Sequence, residues 1–116
     1  MNSKTYRVLL GIYMSMILTV SALPSKAIPD IGFQHSDKIA HFLEYTLLGF
    51  LAIKSFSPRK LVGLICVISF GMMFGAFDEW WQSFISDRCT SVADLIADTA
   101  GILFGSILFY KPSNRL

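Results

Sequence analysis

The chain is poor in charge: Asp, Glu, Lys and Arg make up 16% of its 116 residues. A soluble domain carries about 25%, so a water-facing globule of this length is disfavoured. Cysteine is scarce as well. Cys66 sits inside an apolar block and Cys89 in a polar connection, a placement that does not suit an intrachain disulfide. No metal-type cysteine spacing exists. No basic run and no nucleic-acid motif occurs, so the formal net charge of +2 is no sign of a nucleic-acid partner. Low-complexity segments and repeats of useful length are missing too. Ser83, Ser86, Thr90 and Ser91 lack a surrounding nucleophile-elbow motif.

Apolar residues are abundant: 53% of the chain is hydrophobic and the mean hydropathy is +0.56. They fall in four blocks. The first covers residues 6–23, after which Pro24 and Pro29 break any helix. The second covers residues 39–56 and stops at Ser57-Pro58. The third covers residues 61–77, and the fourth covers residues 92–110 and stops at Lys111-Pro112. Each is close to the roughly 20 residues that a helix needs to cross a bilayer. Backbone groups left unpaired in lipid are costly, so helices are the expected form. The expectation is an all-α integral membrane bundle of four transmembrane helices, one domain over residues 1–116. A rival exists for the first block. Lys4 and Arg7 precede it and Ser25-Lys26-Ala27 resembles a signal-peptidase site, so it is either a span or a cleaved leader.

Charge then orients the bundle. Lys4, Arg7, Lys54, Arg59, Lys60, Lys111 and Arg115, seven of the ten basic residues, lie at the termini and in the second connection. The positive-inside rule makes that side, and with it both termini, cytoplasmic. The eight acids are Asp30, Asp37, Glu44, Asp78, Glu79, Asp87, Asp94 and Asp98. All fall in the opposite connections or the opposite halves of helices, as do His35 and His41.

Helical spacing groups these polar residues. Asp37, His41, Glu44 and Tyr45 share one helix face, Gly71, Gly75, Asp78 and Gln82 a second, and Asp94, Asp98, Gly101 and Gly105 a third. Both glycine pairs have the GxxxG spacing that lets helix backbones approach closely. Each small-residue stripe thus runs outward into carboxylates, and packing of the stripes brings the polar heads into one outer pocket. Lys38 lies about 100° from Asp37 on a helix and is expected at the rim or reaching toward the head groups. Trp80, Trp81 and Tyr110 suit the interfacial aromatic belts.

His41 is the imidazole of this face, and Asp37 or Glu44 one turn away would orient it as an acid/base. Asp78, Glu79 and Asp94 are the further catalytic candidates. Arg88 is the cation best placed by sequence to neutralise Asp78, Glu79, Asp94 or Asp98. Arg88 and Lys38 suit a phosphate or carboxylate, Arg in bidentate fashion. No spacing matches a strong metal signature, and no cofactor is expected. The same polar set has a purely structural reading, as a network that holds the bundle together.

DKIAHFLEYTLLGF, FDEWWQSFISDR and TSVADLIADTAGILFG together resemble the VanZ-like family of small bacterial membrane proteins. The family pattern runs DK..HF..Y..LG, then DE..Q.F...R, then S..D...N..G...G. Asp37, Lys38, His41, Phe42, Tyr45, Leu48 and Gly49 match the first block. Asp78, Glu79, Gln82, Phe84 and Arg88 match the second, and Ser91, Asp94, Gly101 and Gly105 the third. The resemblance covers residues 37–105 and departs at Asp98, where the pattern has Asn. It implies a multi-pass protein of the bacterial cytoplasmic membrane. The founding member is linked to resistance to the glycopeptide teicoplanin, and a drug that binds cell-wall precursors fits an outward-facing pocket.

Three functions compete. The first is an envelope protein that binds an anionic lipid-linked or peptidoglycan-related ligand. Its ligand-binding set would be Asp37, Lys38, Tyr45, Gln82, Arg88, Ser91 and Asp98. The second is an enzyme acting on such a precursor, with His41 as acid/base; the missing nucleophile signature counts against it. The third is an ion-coupled transporter subunit. The acids stop at one half of the helices, so no polar path crosses the bilayer, and four short helices would need a homo-oligomer. The expected partner is therefore a membrane lipid or lipid-linked cell-wall precursor.

Overall fold

A computed structural model describes residues 2–22, 36–85 and 92–112, and the account that follows concerns these. They form four α-helices and no strand: α1 Ser3–Ser21, α2 Ser36–Phe56, α3 Leu61–Ile85 and α4 Val92–Phe109. The Asn2 side chain caps α1 by accepting from the Thr5 backbone N–H at 2.9 Å, which satisfies one of the orphan donors of the first turn. α2 ends where Ser57 turns left-handed, with φ of 46°, before Pro58. α3 runs beyond the apolar block that ends at Phe77 and carries Asp78, Glu79 and Gln82 as helical residues.

Three helices are long and apolar enough to cross a membrane, over Lys38–Phe56, Leu61–Phe84 and Val92–Phe109. α1, rich in hydroxyl and basic side chains, is not among them. Large apolar side chains such as Val62, Ile65, Met73, Ile96, Phe104 and Ile107 point out of the bundle. That surface would be costly in water and is matched to lipid.

α2 packs against all three other helices, most extensively against α4. Among the described residues α1 touches α2 and α3 and does not reach α4. Long-range hydrogen bonds give the directions. Arg7 Nε donates to the Ser55 carbonyl at 3.0 Å and Tyr13 donates to the Glu44 carbonyl at 2.7 Å, so α1 and α2 run antiparallel. Trp81 Nε1 donates to the Leu18 carbonyl at 3.1 Å, which binds the far end of α3 to the far end of α1. The belt position expected for Trp81 is therefore also a helix-to-helix tie. Tyr110 donates to the Arg59 carbonyl at 3.1 Å and ties the end of α4 to the α2–α3 connection. Arg7, Lys54, Arg59, Lys60 and Lys111 thus gather at one end, and the carboxylates at the other.

The glycines explain why α2 and α4 lie so close. A Cβ on Gly101 would stand 2.5 Å from the Phe42 carbonyl oxygen, and one on Gly49 2.9 Å from the Ile102 carbonyl oxygen. One on Gly105 would run into the Thr46 carbonyl. The α4 stripe therefore packs against the backbone of α2, at Gly49, rather than against the glycines of α3. Gly71 on α3 instead receives the Ile102 side chain, 2.6 Å from its missing Cβ.

Candidate functional site

The α2–α4 seam sets the register of the polar end. The two helices run in the same direction, with Gly101 between Phe42 and Thr46 and Gly105 between Thr46 and Phe50. Further from the basic end, that register places His41 beside Asp98 and then Lys38 beside Asp94. Lys38, His41 and Tyr45 fall at i, i+3 and i+7 and so form one stripe of α2.

Each residue of the stripe meets its own carboxylate. Lys38 Nζ lies 3.0 Å from Asp94 Oδ1. His41 Nδ1 lies 2.7 Å from Asp98 Oδ1. The Tyr45 hydroxyl donates to Asp78 Oδ2 at 2.7 Å. Asp78, Asp94 and Asp98 are 1%, 5% and 1% exposed, although ionised carboxylates are almost never buried unless paired. Tyr45 is fully enclosed, Gln82 is buried beside it in the sequence stripe of Asp78, and His41 is half-buried. With Asp98 ionised, His41 Nδ1 carries the hydrogen and Nε2 is the nitrogen that Asp98 does not engage. Burial rises from Lys38, whose side chain is 34% exposed, through His41 at 15%, to Tyr45.

The described pairings add two partners to the sequence reading. An acid in hydrogen-bond contact with His41 is Asp98 of α4. The cation that the structure sets on Asp94 is Lys38, which turns inward at the rim. Arg88, Ser91 and the side chain of Asp37 lie outside the described residues, as do Ser86, Asp87, Cys89 and Thr90. Glu44 and Glu79 are half-buried near the cluster. Ser83 is exposed and donates to the Trp80 carbonyl at 2.6 Å. Phe84, a family-pattern match, is exposed and packs edge-on against Trp80.

Two buried residues have no packing role in the helical groupings drawn from the sequence. Ser106 is fully enclosed against Gly49, and its Oγ has no hydrogen-bond partner among the described residues. It lies eight residues past Asp98 on the same stripe, a signal that helical spacing does contain. Gly49, the α2 half of the seam, has no GxxxG partner on its own helix to betray it. A separate apolar groove of about 340 Å³, lined by Leu95, Ile96, Thr99, Ala100 and Leu103, follows the side of α4 turned away from Asp98.

Helix order, the three spacing blocks and the buried acids now stand together, and the VanZ/LLP1 family model matches residues 8–112. The chain belongs to the VanZ/LLP1 family. No curated protein and no solved structure matches it. Membership and three helices of spanning length fit a VanZ-like membrane protein. The VanZ/LLP1 match takes in α2, α3 and α4 entire and most of α1, and so includes every residue of the cluster.

Proposed function

We propose that this protein is a four-span, single-domain VanZ-family component of the bacterial cytoplasmic membrane, with its basic end and both termini on the cytoplasmic side. At its acidic, outer end it binds the anionic head group of a lipid-linked or peptidoglycan-related precursor. The observation that carries this reading is the stack of acid–donor pairs built from three different helices at one end of the bundle. Ionisable groups at membrane depth are expensive and mark binding or relay sites. Lys38 is the entry point: its ammonium is partly exposed, and a phosphate would compete with Asp94 for it. Arg88 adds a second cation to this outer connection. A link to glycopeptide resistance follows from the ligand class, because such drugs act on the same precursors.

Binding to undecaprenyl-linked precursors in nanodiscs tests the proposal. Wild-type protein retains the phosphorylated lipid, and Lys38→Gln weakens retention about tenfold, the equivalent of one charge-assisted contact. Equal retention by wild type and Lys38→Gln, or none by either, would sink it. The His41–Asp98 contact favours a second reading, an enzyme with an acid-oriented imidazole. Product formation that vanishes in His41→Ala would make that reading the better one.

A further inference from the structure

The inner side of the cluster has an imbalance that the pairings leave. Asp78 Oδ1 and Asp98 Oδ2 are buried, and neither has a hydrogen-bond partner among the described residues. They belong to different helices, and Asp98 Oδ2 borders an open spot. That spot is the missing side chain of Gly75. A Cβ there would lie 3.4 Å from Tyr45 Cε2, 3.5 Å from Asp98 Cβ and 3.8 Å from Asp98 Oδ2, all ordinary contacts. Asp78 is one turn on from Gly75 along the same face. Gly49, Gly71, Gly101 and Gly105 differ: a Cβ on any of them would collide with a neighbour at 2.9 Å or less. Close packing therefore accounts for these four and not for Gly75, which leaves room for a small group beside the Tyr45 ring and the Asp98 carboxylate, one turn from Asp78.

Charge says what fits the gap. Among the described residues Lys38 stands on Asp94 and His41 on Asp98, whereas Asp78 receives a neutral hydroxyl from Tyr45. A buried carboxylate with no opposite charge is costly, and a water in the gap would supply hydrogen bonds but no charge. Two carboxylates converge rather than three. Among the described residues no group of three or more His, Cys, Asp or Glu could hold a metal ion. That donor set is too thin for a divalent ion and suits a single charge. We propose that the gap over Gly75, between Asp78 on α3 and Asp98 on α4, binds a singly charged cation of sodium or potassium size. The cation ties α3 to α4 and offsets the charge of Asp78.

Purified full-length protein in detergent is melted in sodium, potassium or choline chloride at one ionic strength, and radiolabelled sodium binding is measured beside it. Choline is too large for the gap. Sodium or potassium raises Tm by about 5 °C over choline, saturably. Asp78→Asn and Gly75→Ala each abolish that rise, the second by filling the gap without a clash, while Asp94→Asn keeps it. Identical melting in all three salts overturns the proposal in favour of a water or nothing in the gap. A cation response that persists in Gly75→Ala overturns it as well, since the ion would then sit elsewhere. Should Asp78→Asn fail to fold, Gly75→Ala with labelled sodium decides alone.

Discussion

The α2–α4 interface has two halves joined by different physics. Toward the basic end, Gly49, Gly101 and Gly105 bring backbone against backbone, and no side chain fits between. Toward the acidic end the same two helices are joined by Lys38–Asp94 and His41–Asp98. The glycine half depends on shape and has no tolerance. The polar half depends on chemistry, and a stable bundle does not require it: apolar residues of similar volume hold helices as well as or better than buried ion pairs. What the polar half adds is reactivity and binding, and the glycine half sets the register that makes it possible.

Substitutions separate the halves, and the largest effect belongs to the seam. Gly105→Val drives methyl groups into the Thr46 carbonyl and should yield no monodisperse protein on size-exclusion chromatography. Gly75→Ala, by contrast, should purify normally. Next comes the ion pair. Asp98→Leu alone should cost about 3 kcal/mol by leaving His41 without its partner, whereas the double change His41→Leu with Asp98→Leu should melt near wild type. Equal losses in the single and double variants would mean that the pair itself stabilises the bundle, and the comparison would fail. Tyr45→Phe removes one donor from Asp78 and should cost about 2 kcal/mol, read as a lower Tm at unchanged helical circular dichroism. Lys38→Ala should cost less than about 1 kcal/mol, because its partly exposed pair is screened by solvent. The smallest effect lies outside both halves. Ser57→Gly should stabilise by about 0.5 kcal/mol, since glycine adopts the left-handed conformation there without a Cβ penalty.

Much of this could be read from one chain. The helix faces of Asp78 with Gln82 and of Asp94 with Asp98 came from a period of 3.6, and all four side chains are buried as that period requires. Three of the helices have the length and apolarity that their blocks announce. The partner of His41 could not be read. Periodicity states which residues share a face of one helix and is silent on how far one helix slides along another. Here the slide is set by carbonyl oxygens seated over Gly101 and Gly105, a contact between backbones that carries no side-chain signature. For Lys38 the limit was different. Its angle from Asp37 put it at the rim, while its place on the stripe of His41 and Tyr45 lets its long side chain pair with Asp94.

The position of α1 has a consequence for how the molecule can be divided. Its ties to the rest are a Tyr13 hydroxyl, an Arg7 guanidinium and the Leu18 carbonyl, all on the flank of α2 and α3 that faces away from α4. Every acid–donor pair, the buried carboxylate oxygens Asp78 Oδ1 and Asp98 Oδ2 and the whole glycine seam belong to α2, α3 and α4. The chemistry is thus a three-helix cassette, and α1 is a buttress that seats Leu10 and Ile17 in the core without supplying any of the pairs.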